Sequence, residues 1–340
     1  MDPIAKTIVI TGASGFLGRH LCAFFSHLGY QVRAVYRRSQ APLELQLLAQ
    51  QGVELMNLDL SIAGSTDLAC KGMDIVLHSA ALAYDWGPYE LFKKANVDIT
   101  DSLLDSAQRA GCGNFIYIST AAVHGFGIHE NTTEDGPFYP LRYPYPITKL
   151  IAEKRVLACN RPGFRAVAVR PCNVYGPGDV TSTYTMYEAI LEGTFGYIGS
   201  GAAYTCPIYI DDLCEGVRLM VENDHLGGQV VLLSDGCKVR WRDYVQTMYH
   251  AVGSSRHPVS LPIPLAFTAA GVMGFGAKVL HTVKAPPLTR YRVEQAAHHY
   301  HFSHDKAKKL LGFEPKTFYE EGLGLTAEAF LRDRKKTGGP

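Results

Sequence analysis

A short β-branched run that breaks into three evenly spaced glycines constrains this chain more than any other feature. Thr7-Ile8-Val9-Ile10 reads as a strand, and Thr11-Gly12-Ala13-Ser14-Gly15-Phe16-Leu17-Gly18 as the turn that leads it into a helix. Gly12 permits a tight turn, Gly15 lets the backbone approach a bulky anion, and Gly18 lets the helix pack close on the strand. The helix N-terminus then offers free N–H groups and positive partial charge, which suits a pyrophosphate. An ordinary strand-to-helix turn is the alternative. Placement at the first strand-to-helix junction favours a nucleotide cradle, with contacts from Gly12, Ser14, Gly15, Phe16, Leu17 and Gly18.

The alternation continues along the first half. Strands are expected at residues 7–10, 32–36, 54–57, 75–77, 115–118 and 165–169, with helical spacing between them. Leu17, Leu21, Phe24 and Leu28 share one face at 3.6 residues per turn, and Gly29 and Gly111 suit left-handed helix C-caps. The fold class expected is α/β: a Rossmann-type doubly wound parallel sheet with a smaller, mostly C-terminal lobe. Residues 1–175 form the first unit and 176–335 mainly the second, across a soft boundary that the chain is free to recross.

With 33 basic and 32 acidic residues among 340, the chain has no global field for nucleic acid or an anionic surface. Eight scattered cysteines, with no Cys-x-x-Cys pair, read as reduced and mostly buried thiols of a cytoplasmic protein. With only a few residues ahead of the first strand, a secretory signal is not expected. Residues 265–283 are strongly apolar but follow Pro262 and Pro264 and contain Lys278 and His281, so a spanning helix is not expected. A core helix, a surface that accepts an apolar substrate and an interfacial membrane helix all stay open, as does a homodimer. Membrane contact is at most peripheral on this reading. His298, His299, His301 and His304 lack accompanying cysteine or carboxylate ligands, so a solvated segment is expected and no metal.

Val35-Tyr36-Arg37-Arg38 closes the second strand without the carboxylate that would bond adenosine ribose hydroxyls. Two guanidiniums there favour a 2′-phosphate, hence NADP(H); if both are solvated surface charges, NAD(H) remains. Asp59, before Leu60, reaches the adenine or caps a helix. Small residues Ala80 and Ala81 end the fourth strand, and Pro171 the sixth, where a cofactor lies close. Tyr145 and Lys149 stand four apart on one helix face. A phenol ionises near pH ~10, and a nearby fixed cation would bring it into a useful range for proton exchange. Thr120, with Ser119 as its substitute, ends a strand where it can bond a reacting oxygen.

Thr-Gly-Ala-Ser-Gly-Phe-Leu-Gly, His78-Ser-Ala-Ala, Asn96-Val-x-x-Thr, Thr120, Tyr145-x-x-x-Lys149-x-x-x-Glu153 and Arg170-Pro-x-x-Val-Tyr-Gly-Pro-Gly-Asp179 resemble, in order and spacing, the extended short-chain dehydrogenase/reductase superfamily. The resemblance spans nearly the whole chain. It implies Tyr145 as general acid/base, Lys149 as a ligand of the nicotinamide ribose too, Thr120 as oxyanion partner and Asn96 as holder of a relay water. Trp86-Gly-Pro-Tyr-Glu-x-Phe92 and Pro286-Pro-Leu-Thr-Arg-Tyr291 are similar to segments of 3β-hydroxysteroid dehydrogenase-like proteins and of 2-alkyl-3-oxoalkanoate reductases. Thr205 stands where sugar-nucleotide members carry a diphosphate-clamping arginine, whereas Asn173 matches a diphosphate-binding position of those members. Ala83, Trp86, Ala121 and Asn173 are expected at the substrate. The reading is hydride exchange between NADP(H), or NAD(H), and a secondary alcohol or ketone on a small apolar molecule, steroid-like or a long-chain 3-keto compound. A nucleotide-sugar 4-epimerase or dehydratase and a non-catalytic NADP sensor are the rivals.

Overall fold

Seven β-branched and aliphatic segments form one parallel sheet: β1 (Thr7–Thr11), β2 (Gln31–Tyr36), β3 (Glu54–Asn57), β4 (Ile75–His78), β5 (Asn114–Ile118), β6 (Arg165–Pro171) and β7 (Val230–Leu233). The computed structural model describes residues 6–280, 282 and 284–336. Met1 to Ala5, His281 and Val283 lie outside them, and with them parts of the expectations about a leader and the apolar stretch. The strands run β7-β6-β5-β4-β1-β2-β3, so strand order reverses between β1 and β4 and their carboxyl ends open a crevice there. Thr11 faces Val35 on one side and His78 on the other, which sets the width of that crevice. The six expected strands are present, with ends moved by one or two residues. The seventh lies well beyond residue 175 and pairs with β6, Val231 opposite Val169. Its unbroken apolar run, Val-Val-Leu-Leu, has no alternation to separate a buried strand from a helix segment.

Both faces of the sheet are covered. Val9, Val76, Phe115, Tyr117 and Ala168 pack with Leu103, Leu104, Ala152 and Val156 on one side. Ile8, Ile10, Leu77, Ile116 and Val167 pack with Leu21, Phe25, Leu213 and Val217 on the other. The first helix, Phe16–His27, buries Gly18, Leu21, Cys22 and Phe25, so its inner face is turned one step from the expected one and Leu28 is 47 % exposed. Gly18 causes the turn, because only a residue without Cβ can face the cradle backbone at that distance.

Short strand pairs outside the sheet organise much of the remainder. Asn173–Tyr175 pairs in parallel with Pro207–Tyr209, and Gly196–Ile198 with Val259–Leu261. The helices Ile263–Val279 and Arg290–Ala297 pack on one another. The histidine-rich segment is not a solvated one: Tyr300–Phe302 is a buried strand beside His129–Thr132, and His301 accepts from the Asn131 N–H at 3.2 Å. Burial lowers the His301 pKa, so the strand carries a neutral imidazole. Among the described residues no group of side chains has a metal-binding arrangement, and no helix is long and apolar enough to cross a membrane.

Candidate active site

The cradle is built by close backbone approach. A Cβ at Gly12, whose φ is +71°, would lie 2.7 Å from Ala80 Cα, and one at Gly18 would lie 2.2 Å from the Gly12 carbonyl oxygen. The loop is pinned by Ala13 N–H donating to the Val35 carbonyl and by Gly15 N–H donating to Gly12, after which the helix starts at Phe16. Gly15, as N-cap, brings no side chain to its helix end, so the first N–H groups face the crevice unobstructed. Ser14 and Phe16 are half-buried on its rim, and Leu17 packs against the core. A buried chain of hydrogen bonds locks the cradle to β4: His78 bridges Thr11 Oγ1 at 2.7 Å and Thr100 Oγ1 at 2.9 Å, and Ser79 Oγ donates to the Thr11 carbonyl. Burial holds the His78 pKa down at about 3, so the bridge stays neutral. A dinucleotide pyrophosphate fits this cradle, and Gly12, Ser14, Gly15 and Phe16 are the residues that would hold it.

At the end of β2, Arg37 and Arg38 are exposed, and no carboxylate stands on the strand. Asp59 is not a helix N-cap. Its carboxylate accepts from Ser61 N–H and Oγ, which holds its pKa low, and lies 3.7 Å from Arg37 Nη1. Leu60 is buried behind it.

Pro144–Ala158 is the helix that carries the proton-transfer pair, with proline in its first turn where a missing N–H is harmless. Tyr145 lies near Thr120, whose Oγ1 accepts from the Ala122 N–H at 3.2 Å. Burial pushes the Tyr145 phenol up to about 12, with the Thr120 side chain opposing only part of that rise. The expected lowering by Lys149 is not found. The Lys149 ammonium donates to the Ile118 carbonyl at 2.5 Å and lies 4.0 Å from the centre of the Tyr117 ring. Burial in turn lowers Lys149 to about 7, with Glu153 opposing. Asn96 sits in a widened helical turn, Lys94–Asp98, where its Oδ1 accepts from Leu82 N–H at 2.7 Å and its Nδ2 donates to the Leu82 carbonyl and Thr148. Those bonds fix the chain that leads to Ala83 rather than leave the amide facing the cleft.

Ser119 is not a second Thr120. Its hydroxyl donates to Glu153 Oε2 at 2.6 Å, and Glu153 is closed from the far side by Arg170, Nη2 to Oε1 at 2.6 Å and Nε to Oε2 at 2.9 Å. Arg170 completes its bonding on the Glu134 carbonyl and His124 Nε2. This buried pair was visible in sequence only as two separate motif residues. Pro171 is buried beside it at the end of β6.

The surroundings of Tyr145 are aromatic. Tyr291 lies 4.8 Å, ring centre to ring centre, from Phe126 and 5.2 Å from Tyr143, and burial together with Tyr145 raises its pKa. Sequence reasoning missed it as a site residue, although it closes the Pro286 to Tyr291 segment singled out there. Ala83 is exposed at the cleft edge, and Trp86 is half-buried against Gly274, its Nε1 donating to the Thr282 carbonyl. Ala121 does not face the substrate. It is fully buried with Cys172, Cys206, Leu232, Tyr300 and Phe302, because the short helical turn after Thr120 directs it inward. Asn173 is tied at both ends: Nδ2 donates to Thr205 Oγ1 and Oδ1 accepts from Gln295 Nε2, each at 3.0 Å.

A phenol beside a threonine, one helical turn before a buried lysine, together with a close-packed glycine turn at the first strand-to-helix junction, defines a dehydrogenase/reductase of the extended short-chain type, acting on CH–OH or keto groups. The sequence profile of the NAD dependent epimerase/dehydratase family matches residues 8–233, and the chain belongs to that family. It is 32 % identical over 324 residues to the 2-alkyl-3-oxoalkanoate reductase of Stenotrophomonas maltophilia (strain K279a), covering 93 % of this chain and 97 % of that protein. It is 29 % identical to the 4-hydroxy-2-methyl-3-oxo-4-farnesyl-3,4-dihydroquinoline-1-oxide ketoreductase of Stigmatella aurantiaca, over 94 % of this chain and 95 % of the relative. Among solved structures, MoeE5 in complex with UDP-glucuronic acid and NAD superposes with a TM-score of 0.77 at 24 % identity, covering 97 % of this chain and 100 % of the other, and shares the fold.

Proposed function

We propose that this enzyme reduces the ketone of a long-chain or otherwise apolar 3-keto compound to the secondary alcohol, with NADPH as the preferred reductant. The bonding of Asn173 carries the substrate class. Where a sugar-nucleotide enzyme needs a diphosphate clamp, this chain has a closed, uncharged Thr205–Asn173–Gln295 chain. A diphosphate brought there would lose its water without gaining a charge-assisted bond. An aromatic wall of Phe126, Tyr143 and Tyr291 instead suits an apolar ketone. The names of the two relatives, both reductases of 3-oxo compounds, support the same class.

The dinucleotide, when bound, supplies a hydride to the carbonyl carbon. Thr120 and Tyr145 receive the carbonyl oxygen, and Tyr145, held as a phenol at neutral pH by its burial, gives it the proton. Lys149, lowered to about 7, carries its positive charge beneath the site below that pH and in that form is able to renew the proton. Arg37 and Arg38 would take the 2′-phosphate, which competes readily with the loose 3.7 Å contact between Arg37 and Asp59.

Nicotinamide absorbance followed with 3-keto acids, keto-steroids and nucleotide sugars tests the reading. Oxidation of NADPH with the apolar ketones is expected. Turnover confined to the sugars would overturn it.

A further inference from the structure

We propose that the outer face of the Ile263–Val279 helix docks the enzyme on an anionic lipid bilayer. The inner side of this helix is accounted for: Ala266 and Ala270 are buried with Val293, and Phe267 lines a cavity of about 450 Å³ together with Phe126, Arg142 and Arg290. Its outer side is a bare apolar stripe. Leu265, Val272 and Phe275 are 55 %, 69 % and 71 % exposed at a spacing that keeps them on one side of the helix, with Met273 and Leu280 beside them. The hydroxyl of Thr268, in the same stripe, donates back to the Pro264 carbonyl, so even that residue asks nothing polar of a partner. Trp86, half-buried, packs against the helix at Gly274. A bare apolar patch of this kind marks an interaction surface.

Charge decides the occupant. Between Asp243 and Glu294 the sequence has no carboxylate, and it carries Arg256, Lys278, Lys284, Arg290 and Arg292. Asp85 neutralises Arg292 at 2.7 Å. Lys278, Lys284 and Arg290 have no carboxylate within ion-pair distance among the described residues, and the Arg290 guanidinium lies where a Cβ on Gly271 would be only 3.3 Å away. Apolar side chains flanked by lysine and arginine suit acyl chains under anionic headgroups. A second copy of the same face would bring like charges together.

Docking does not depend on the substrate. Delivery does, and rests on the apolar-ketone reading: a ketone dissolved in the leaflet would enter past Phe267 to a cavity whose Phe126 wall packs on Tyr291.

Vesicle flotation of the full chain tests this. The wild type is expected to float with vesicles of phosphatidylcholine and phosphatidylglycerol, less with phosphatidylcholine alone, and less at high salt. Val272→Glu with Phe275→Glu is expected to lower partitioning by about tenfold or more, with melting temperature unchanged because both residues are exposed. Lys278→Gln with Lys284→Gln should remove the preference for phosphatidylglycerol. Failure of the wild type to float, or equal flotation of the glutamate pair, overturns the proposal. So does a wild type that stays off vesicles and elutes as a dimer which the glutamate pair splits, since the face then belongs to a second copy. Turnover of a short water-soluble 3-ketone by wild type and glutamate pair, measured in parallel, separates the two claims: loss of that activity in both sinks the catalytic reading and leaves flotation standing.

Discussion

Replacing Glu153 by Gln removes one charge from a pair that is almost wholly out of water. The side chains of Arg170 and Glu153 are 6 % and 2 % exposed, and their two contacts measure 2.6 and 2.9 Å. A glutamine keeps the shape and still accepts from Ser119, but it leaves the Arg170 guanidinium buried with only a carbonyl and the neutral His124 ring as partners. Breaking one side of a buried pair costs about 3–5 kcal/mol. At roughly 2 °C per kcal/mol for a chain of this size, the melting temperature should fall by about 6–10 °C. Thermal melts and urea titrations of wild type, Glu153→Gln, Arg170→Met and the double variant Glu153→Leu/Arg170→Met form the assay. The double variant should be more stable than either single one, because it strands no charge. A loss near that of an exposed pair, about 1 kcal/mol or less, or strictly additive singles, would refute the reasoning. Glu153 also opposes the fall of the Lys149 pKa, so any residual activity of Glu153→Gln should show its lysine-dependent break at lower pH than the wild type.

Further expectations can be checked on the same protein. Lys149 is lowered to about 7 and Tyr145 raised to about 12, so kcat/KM for ketone reduction should fall as pH rises through about 7, where the lysine loses its charge, with no phenol ionisation below about pH 12. A profile limited by an ionisation near the ordinary tyrosine value would contradict this. Tyr145→Phe should lower reduction by about 10²–10⁴-fold while fluorescence titration still shows dinucleotide binding. Gly18→Ala puts a Cβ 2.2 Å from the Gly12 carbonyl oxygen, so dinucleotide binding should be lost even where the melt shows a folded chain. Arg37→Ala with Arg38→Ala should raise KM for NADPH by about tenfold and leave KM for NADH nearly unchanged, a ratio read directly from initial rates. An equal rise for both cofactors would mean that neither guanidinium meets the 2′-phosphate.

What could be read in the sequence was local in its chemistry. The glycines at 12, 15 and 18 and the pair Tyr145 and Lys149 lie within one or two turns of backbone, so their spacing and order along the chain made them candidates. The six expected strands were legible for the same reason, since apolar runs ending in glycine turns repeat along the first half. What escaped needed contacts distant in the chain. Ala121 looked like a neighbour of the reacting oxygen because it follows Thr120, yet one short helical turn sends it into a core completed by Tyr300 and Phe302. His301 looked solvated until Tyr300–Phe302 found a partner in His129–Thr132. The sign of the Tyr145 shift was misjudged because spacing shows a lysine nearby but not the desolvation that outweighs it, nor the carbonyl of Ile118 and the ring of Tyr117 that hold the ammonium. Asn173 is the most instructive case. As a lone residue it pointed toward a diphosphate; bonded to Thr205 and Gln295 it points away from one. Gln295 is 122 residues distant, so no local pattern could have joined them. On the proposed reading the engaged Asn173 disfavours a diphosphate, and a substitution of Gln295 that frees Asn173 is expected to change specificity without touching Tyr145.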